Sequence, residues 1–191
     1  LGSLSQSSDD LSVRLNRSVG RKDRLAFSIA FQNRDATQLQ LYGFEDTSEG
    51  KGTNTSFTWS HTFTARLIMN LRLGFARNTN ATVPYFAFGR NWASELGIRG
   101  TANDPLTYGP PNLSFTNFGG LSDANPTRRA DQNFTIAPGL TRVWKNHNFS
   151  MGGEMRRNQL NNLSQTNARG TMSFSGLITS GFSAAGLPLA N

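Results

Sequence analysis

Apolar and polar side chains alternate along this chain with a period of two, the repeat that sends successive residues to opposite faces of a β-strand. In segment 24–34, Leu25, Phe27, Ile29 and Phe31 take one face, and Ala26, Ser28, Ala30 and Gln32 the other. Segment 54–64 sets Phe57, Trp59, His61 and Phe63 against Ser56, Thr58, Ser60 and Thr62. Segment 67–77 repeats the pattern with Leu67, Met69, Leu71, Leu73 and Phe75 against Asn70, Arg72, Gly74 and Ala76, Ile68 being its exception. Leu11, Val13 and Leu15 open a similar stretch opposed by Ser12, Arg14 and Asn16. Phe149, Met151 and Met155 face away from Asn148, Ser150, Glu154 and Arg156. Segment 133–144 fits least well. Phe134, Ile136 and Leu140 agree, but Val143 falls on the polar face and Pro138 interrupts the ladder, which predicts a kinked or edge strand. The pattern predicts an all-β chain with about six long antiparallel strands.

The links carry as much information as the strands. Segments pair through Gly20-Arg21-Lys22-Asp23, Ala65-Arg66 and Lys145-Asn146, whereas long polar stretches lie near 35–53, 79–132 and 158–191. Short and long links alternate, so all the long ones leave the sheet at one end. The predicted strands run to about 10–11 residues, the length a tilted strand needs to cross a bilayer, where about 5–6 is usual in a globular sheet. These features predict an antiparallel transmembrane β-barrel wall section of the bacterial outer membrane, probed outside by lipid and lipopolysaccharide. Such a wall has an apolar outer face, a polar lumen, short periplasmic turns and long extracellular loops. Lipid offers no hydrogen bonds, so the strands must satisfy one another in a ring. Arg14, Arg72, Glu154 and Arg156 are assigned to the lumen, because an arginine on the lipid face costs about 2–4 kcal/mol near the midplane. Trp59, Phe63 and Trp144 fit an aromatic girdle at headgroup depth. A soluble antiparallel sheet alternates too, with its apolar face buried against a second layer. Strand length and the asymmetry of the links favour the membrane wall.

Composition narrows the chemistry. The 191 residues include no Cys, which removes disulfides, thiol nucleophiles and cysteine-ligated metals. No stretch approaches the ~20 apolar residues of a membrane helix. The chain begins at Leu1 without an apolar leader, which reads as a barrel section cut from something longer. His61 and His147, the two histidines, sit among aromatic residues without a carboxylate cluster, so packing is expected of them rather than metal ligation. No nucleophile elbow, phosphate loop or zinc-binding His-Glu-x-x-His is present. The expectation is a protein that is not an enzyme, with no catalytic, cofactor or metal site. Asp9-Asp10 and Glu45-Asp46 read as solvated loop carboxylates, since adjacent strand residues diverge.

Segment 79–132 is the place for ligand recognition. It holds Tyr85, Phe86, Trp92, Arg99, Tyr108, Phe115 and Phe118 among Gly, Pro and Asn, a mixture that stacks on and hydrogen-bonds to an extracellular ligand. The same rings can instead pack the loop on itself. The formal charge of +7 raises a rival reading, a soluble basic β-protein binding single-stranded nucleic acid through Arg128-Arg129 and Arg156-Arg157. The arginines are scattered, however, and the aromatic face carries no basic stripe, so no nucleic-acid partner is expected. A standalone passive channel or adhesin on a smaller barrel is the other alternative.

Several runs bring a family to mind. Leu41-Tyr42-Gly43-Phe44 leads into segment 54–63, followed by Leu96-Gly97-Ile98-Arg99-Gly100, the stretch 106–123, HNFSMGGEMRRNQLNN at 147–162 and ARGTMSFSG at 168–176. Their order and spacing resemble the barrel of TonB-dependent outer-membrane receptors, especially the large Oar-like type. The resemblance implies a parent with a signal peptide, a TonB box, an N-terminal plug and about 22 strands. It further implies that this chain is an internal section, a receptor or transporter wall reached by the TonB complex only through a plug absent from these residues. The ligand stays unidentified.

Overall fold

A computed structural model describes residues 4–40 and 43–175. Leu41, Tyr42 and the 176–191 part of the third expected loop lie outside the described residues. The chain folds as one antiparallel sheet of β1 (Leu4–Val19), β2 (Asp23–Leu39), β3 (Glu45–Thr64), β4 (Leu67–Val83), β6 (Thr127–Trp144), β7 (His147–Gly152) and β8 (Met155–Ser164). Two four-residue strands, β5 (Asn112–Phe115) and β9 (Thr171–Phe174), pair in parallel away from it. The neighbour order is β1-β2-β3-β4-β6, with β7 and β8 both on β6. Each long strand therefore pairs with its sequence neighbour, and the sheet is not closed: among the described residues nothing pairs β1 with β7 or β8.

β7 and β8 are physically one strand. Gly139 pairs with Gly152 and Ile136 with Met155, so the register runs unchanged across the gap. The break lies opposite Pro138, whose carbonyl accepts from Gly153 N at 3.1 Å. Its ring nitrogen faces the same neighbour and has no hydrogen to donate. Gly152 fits this close approach because a Cβ there would sit 2.9 Å from the Pro138 carbonyl oxygen. Pro138 is thus tolerated inside the sheet, not on an edge, at the cost of one rung.

The loop boundaries need correction. β2 and β3 extend through most of 35–53, leaving residues 40–44 as the link, and the long link shrinks from 79–132 to 84–126. The apolar alternation stops where both faces meet water, but the backbone keeps pairing, as Asn33 with Lys51 and Asp35 with Glu49 show. Hydrophobic period marks the membrane-depth part of a strand and not its end.

Cross-strand register sorts the faces. Leu15, Phe27, Phe57, Leu73, Ile136 and Met155 form one continuous row across all six strands. On the opposite face the neighbouring row is Arg14, Ser28, Ser56, Gly74, Thr135 and Arg156. The apolar row has no second layer over it. Leu15 is 62% exposed and Met155 63%, which a water-soluble sandwich would not leave open.

The hairpin tips are staggered. Asp23, at the first tip, pairs with His61, yet β3 runs on to Thr64 past a bulge and β4 reaches two residues beyond Met69 to Leu67. Leu67 pairs with Arg142, and β6 continues two residues further to Trp144. Sliding two residues for every two strands, at about 3.3 Å per residue and 4.8 Å between strands, means a strand tilt of about 35°. Barrel strands cross membranes at about 35–45°. The apolar band on β4, Leu67–Phe75, spans about 30 Å of strand and, at that tilt, about 24 Å of bilayer, close to the usual apolar belt of about 25 Å. No helix among the described residues is long and apolar enough to cross a membrane; the strands do the crossing.

Candidate functional site

At the end opposite the tight hairpins, residues 84–126 and 165–175 fold into a crown. A short helix, α1 (Trp92–Glu95), starts where Asn91 Oδ1 accepts from Ser94 N at 3.1 Å. A single 3₁₀ turn, Pro105–Thr107, is capped by Asp104 Oδ1, which accepts from Leu106 N at 3.0 Å. The β5–β9 pair ties the long link to the segment after β8, and Leu113 bridges Leu121 across a tight return.

A cleft of about 900 Å³ opens in this crown. Phe44, Phe86, Ile98, Pro111, Leu113 and Met172 supply its apolar walls, and Gln40, Ser122 and Asp123 its polar part. The volume is that of a small-molecule site. Phe44 stacks on Tyr85 and Phe86 with ring centroids 5.0 and 4.8 Å away, in tilted and edge-on geometries.

Beside the cleft lies a buried charged cluster. Arg169, 3% exposed, donates Nη1 to Asp123 Oδ2 and Nη2 to the Ala124 carbonyl. Gly109 makes room for it, since a Cβ there would sit 2.5 Å from Nη1. Asp46, 4% exposed, accepts from Gln40 Nε2 and, at 3.0 Å, from Tyr85 N. Burial pushes the Asp123 carboxyl above the ordinary carboxylate range, and the Arg169 charge pulls against it while neighbouring Asp46 adds to the rise. One cation, two carboxylates, the Gln40 amide and two backbone groups of the long link, at Tyr85 and Ala124, therefore meet in one knot. The expected solvation of Glu45-Asp46 is half wrong: Glu45 is exposed and Asp46 is buried in this knot. Alternation carries no signal for it, because Asp123 lies 77 positions from Asp46 and 46 from Arg169 in sequence.

The predicted ligand residues divide. Tyr85 and Phe86 share the aromatic cluster with Phe44, and Phe86 lines the cleft. The others lie elsewhere. Trp92 lies under the Arg90 guanidinium, 4.7 Å from its ring centroid, and Arg90 pairs with Glu95. Tyr108 Oη donates to Asn103 Oδ1 at 3.0 Å. Phe115 stacks on Phe174 at 5.2 Å, Phe118 is 75% exposed, and Arg99 is exposed. Phe44, Ile98, Leu113 and Met172 were missed as cleft residues, being ordinary apolar residues in links without periodicity.

On the sheet, Arg14, Arg72, Glu154 and Arg156 share the polar face, and Arg156 pairs with Glu154 at 2.7 Å. At the tight-turn end, Trp59 Nε1 and His61 Nδ1 both donate to Asp23 Oδ1, at 2.8 and 2.6 Å. His61 packs edge-on to Phe63 at 4.5 Å, and His147 lies 6.2 Å from Phe149. No three His, Cys, Asp or Glu residues among the described ones gather as metal ligands.

No curated protein matches the chain. A model of the outer membrane beta barrel domain matches residues 2–191. An open sheet of tilted strands, apolar on an uncovered face and crowned at one end, belongs to that family: the chain is an outer-membrane β-barrel protein of the bacterial cell envelope.

Proposed function

We propose that the chain is the wall and extracellular ligand surface of a TonB-dependent receptor, which takes up a ligand across the outer membrane. The observation that carries this reading is the crown. Its long link does not trail into solvent but folds around a walled cleft at the end of a transmembrane sheet, as a recognition surface requires. The order of barrel runs that resembles the Oar-like receptors supports the same reading. In it the tight hairpins face the periplasm, the crown faces outward, and the polar face with Arg14, Arg72, Glu154 and Arg156 looks into the lumen. The two sheet edges left unpaired among the described residues favour a section of a wide ring over a small passive barrel.

The test needs no ligand. The full-length protein, reconstituted in planar bilayers, should show no steady conductance, because a plug fills the lumen of an energised receptor. In intact cells it should cross-link to TonB. Steady open-channel steps together with no TonB adduct would replace the receptor with a passive channel.

A further inference from the structure

The formal charge of +7 is distributed very unevenly. Arg17, Arg21, Lys22, Arg24, Arg66, Arg142 and Lys145 crowd around the three tight hairpins, with Asp23 as the single carboxylate among them. Beyond the apolar band, at the crown end, carboxylates slightly outnumber cations. Nearly the whole excess therefore sits at one rim. All seven cations are exposed, and none makes an ion pair among the described residues.

Their placement is specific. Arg17 stands in the row of Leu25 and Trp59, and Arg142 in the row of Leu67 and Phe149, so both occupy the apolar face. Each is two residues from its hairpin tip, about 7 Å along the strand. Lys145 Nζ lies 5.8 Å from the centroid of the Trp144 ring. Cations and rings thus alternate around the membrane boundary, on the side that meets acyl chains. A phosphate accepting from Arg or Lys forms short charge-assisted hydrogen bonds. Here that phosphate must also carry hydrocarbon, because the same face continues directly into Leu25, Leu67 and Leu71. A soluble polyanion does not meet that second requirement.

We infer that the tight-turn rim is a collar for anionic glycerophospholipids, binding their headgroup phosphates through Arg17, Arg142 and Lys145 while Trp59, Trp144 and Phe149 pack on the glycerol and upper acyl region. The inference rests on the periplasmic placement of the tight turns proposed above, which sets the collar in the phospholipid leaflet and not against lipopolysaccharide. It is independent of what the crown binds.

These 191 residues hold no cysteine, so a cysteine placed here is a single label once any cysteine elsewhere in the full-length protein has been replaced by serine. The full-length protein carrying Asn146→Cys, labelled with a fluorescent donor, is placed in phosphatidylcholine vesicles. The vesicles contain a minor fraction of headgroup-labelled phosphatidylglycerol, phosphatidylcholine or lipid A as acceptor; Asn117→Cys in the crown is the control site. Phosphatidylglycerol should be enriched about fivefold near the rim label, and not near the crown label. The enrichment should vanish in molar salt, where the Debye length falls to about 3 Å, and in the Arg17→Gln, Arg142→Gln, Lys145→Gln protein. Should the triple variant fail to insert, the salt titration of the unmodified protein decides alone. Equal transfer from phosphatidylglycerol and phosphatidylcholine overturns the collar, as does a preference for lipid A at the rim. In the second case TonB cross-linking still reports separately on the receptor reading.

Discussion

The sheet and the crown are built from the same polypeptide for two different solvents. Every buried residue among the described ones belongs to the crown or to the strand end beneath it: Asp46, Pro84, Ala93, Leu106, Thr107, Gly109, Pro111, Pro126 and Arg169. The wall, far larger, buries none. Its apolar side chains stand open because hydrocarbon takes the place of a core, and its cohesion comes from a ladder of backbone pairs interrupted only at Pro138 and at the bulge near Thr64. The crown meets water on its outside and must enclose its own interior, so it gathers prolines, an aromatic trio and a charged knot. Burial thus marks what faces water here, the reverse of its usual meaning in a membrane segment.

The sharpest way to break that contrast is to remove Arg169. Arg169→Met leaves Asp46 and Asp123 enclosed without their cation, and breaking a buried pair from one side costs about 3–5 kcal/mol. Hydrogen exchange and proteolysis should rise sharply across 84–126, while the heat-modifiable migration of the barrel stays intact. Loss of both together would show that wall and crown are one cooperative unit. Next in size is Leu71→Arg or Phe27→Arg on the apolar face, at about 2–4 kcal/mol near the midplane. Insertion should fall for these and hold for Thr58→Arg, which points the other way beside Arg72. Equal tolerance on both faces would mean that the apolar face does not meet lipid.

Much of the wall was legible because membrane depth writes itself into the sequence twice, as alternation and as hairpin position. The three tight links stand where they were expected. The strand ends did not show, since Asn33, Lys51 and Thr79 pair above the band without any hydrophobic period to announce it. The neighbourhood of Pro138 misled toward an edge position because a missing donor weakens only one of a strand's two sides. In the crown, Tyr85 and Phe86 were recognisable as rings in a long link, but Phe44, Arg169 and Asp123 come together only through tertiary closure. Arg17 and Arg142 on the lipid side run against the rule that placed arginines in the lumen. That rule weakens toward zero near the interface, where both of them lie.

A smaller and graded test uses protons. Asp123 has its carboxyl raised by burial, so the folded crown holds that proton more tightly than the open one. Its contribution to stability is whole below the ordinary Asp range and is lost as pH climbs through the raised value. Crown protection should therefore be greater in mild acid than at neutrality, and Asp123→Asn should flatten the slope. Protection that grows from acid to neutral pH instead would show that the Arg169 attraction outweighs burial.

The smallest effect makes the most direct comparison, one hydroxyl removed in each region. Thr107, 2% exposed, donates Oγ1 to the Asp104 carbonyl at 2.7 Å. Ser28 and Ser56 share a bond of 2.8 Å between their Oγ atoms on the polar face of the sheet. In the crown, Thr107→Val removes a bond that water cannot replace and should cost about 1 kcal/mol. On the wall, Ser28→Ala leaves Ser56 on the polar face, where water takes over, and the cost should stay under about 0.5 kcal/mol. Both are read as shifts in denaturant midpoint, the first by exchange within the crown and the second by loss of heat modifiability. A wall cost equal to the crown's would mean that the polar face is packed dry against other protein, because only exclusion of water makes so ordinary a hydroxyl pair worth a full kilocalorie.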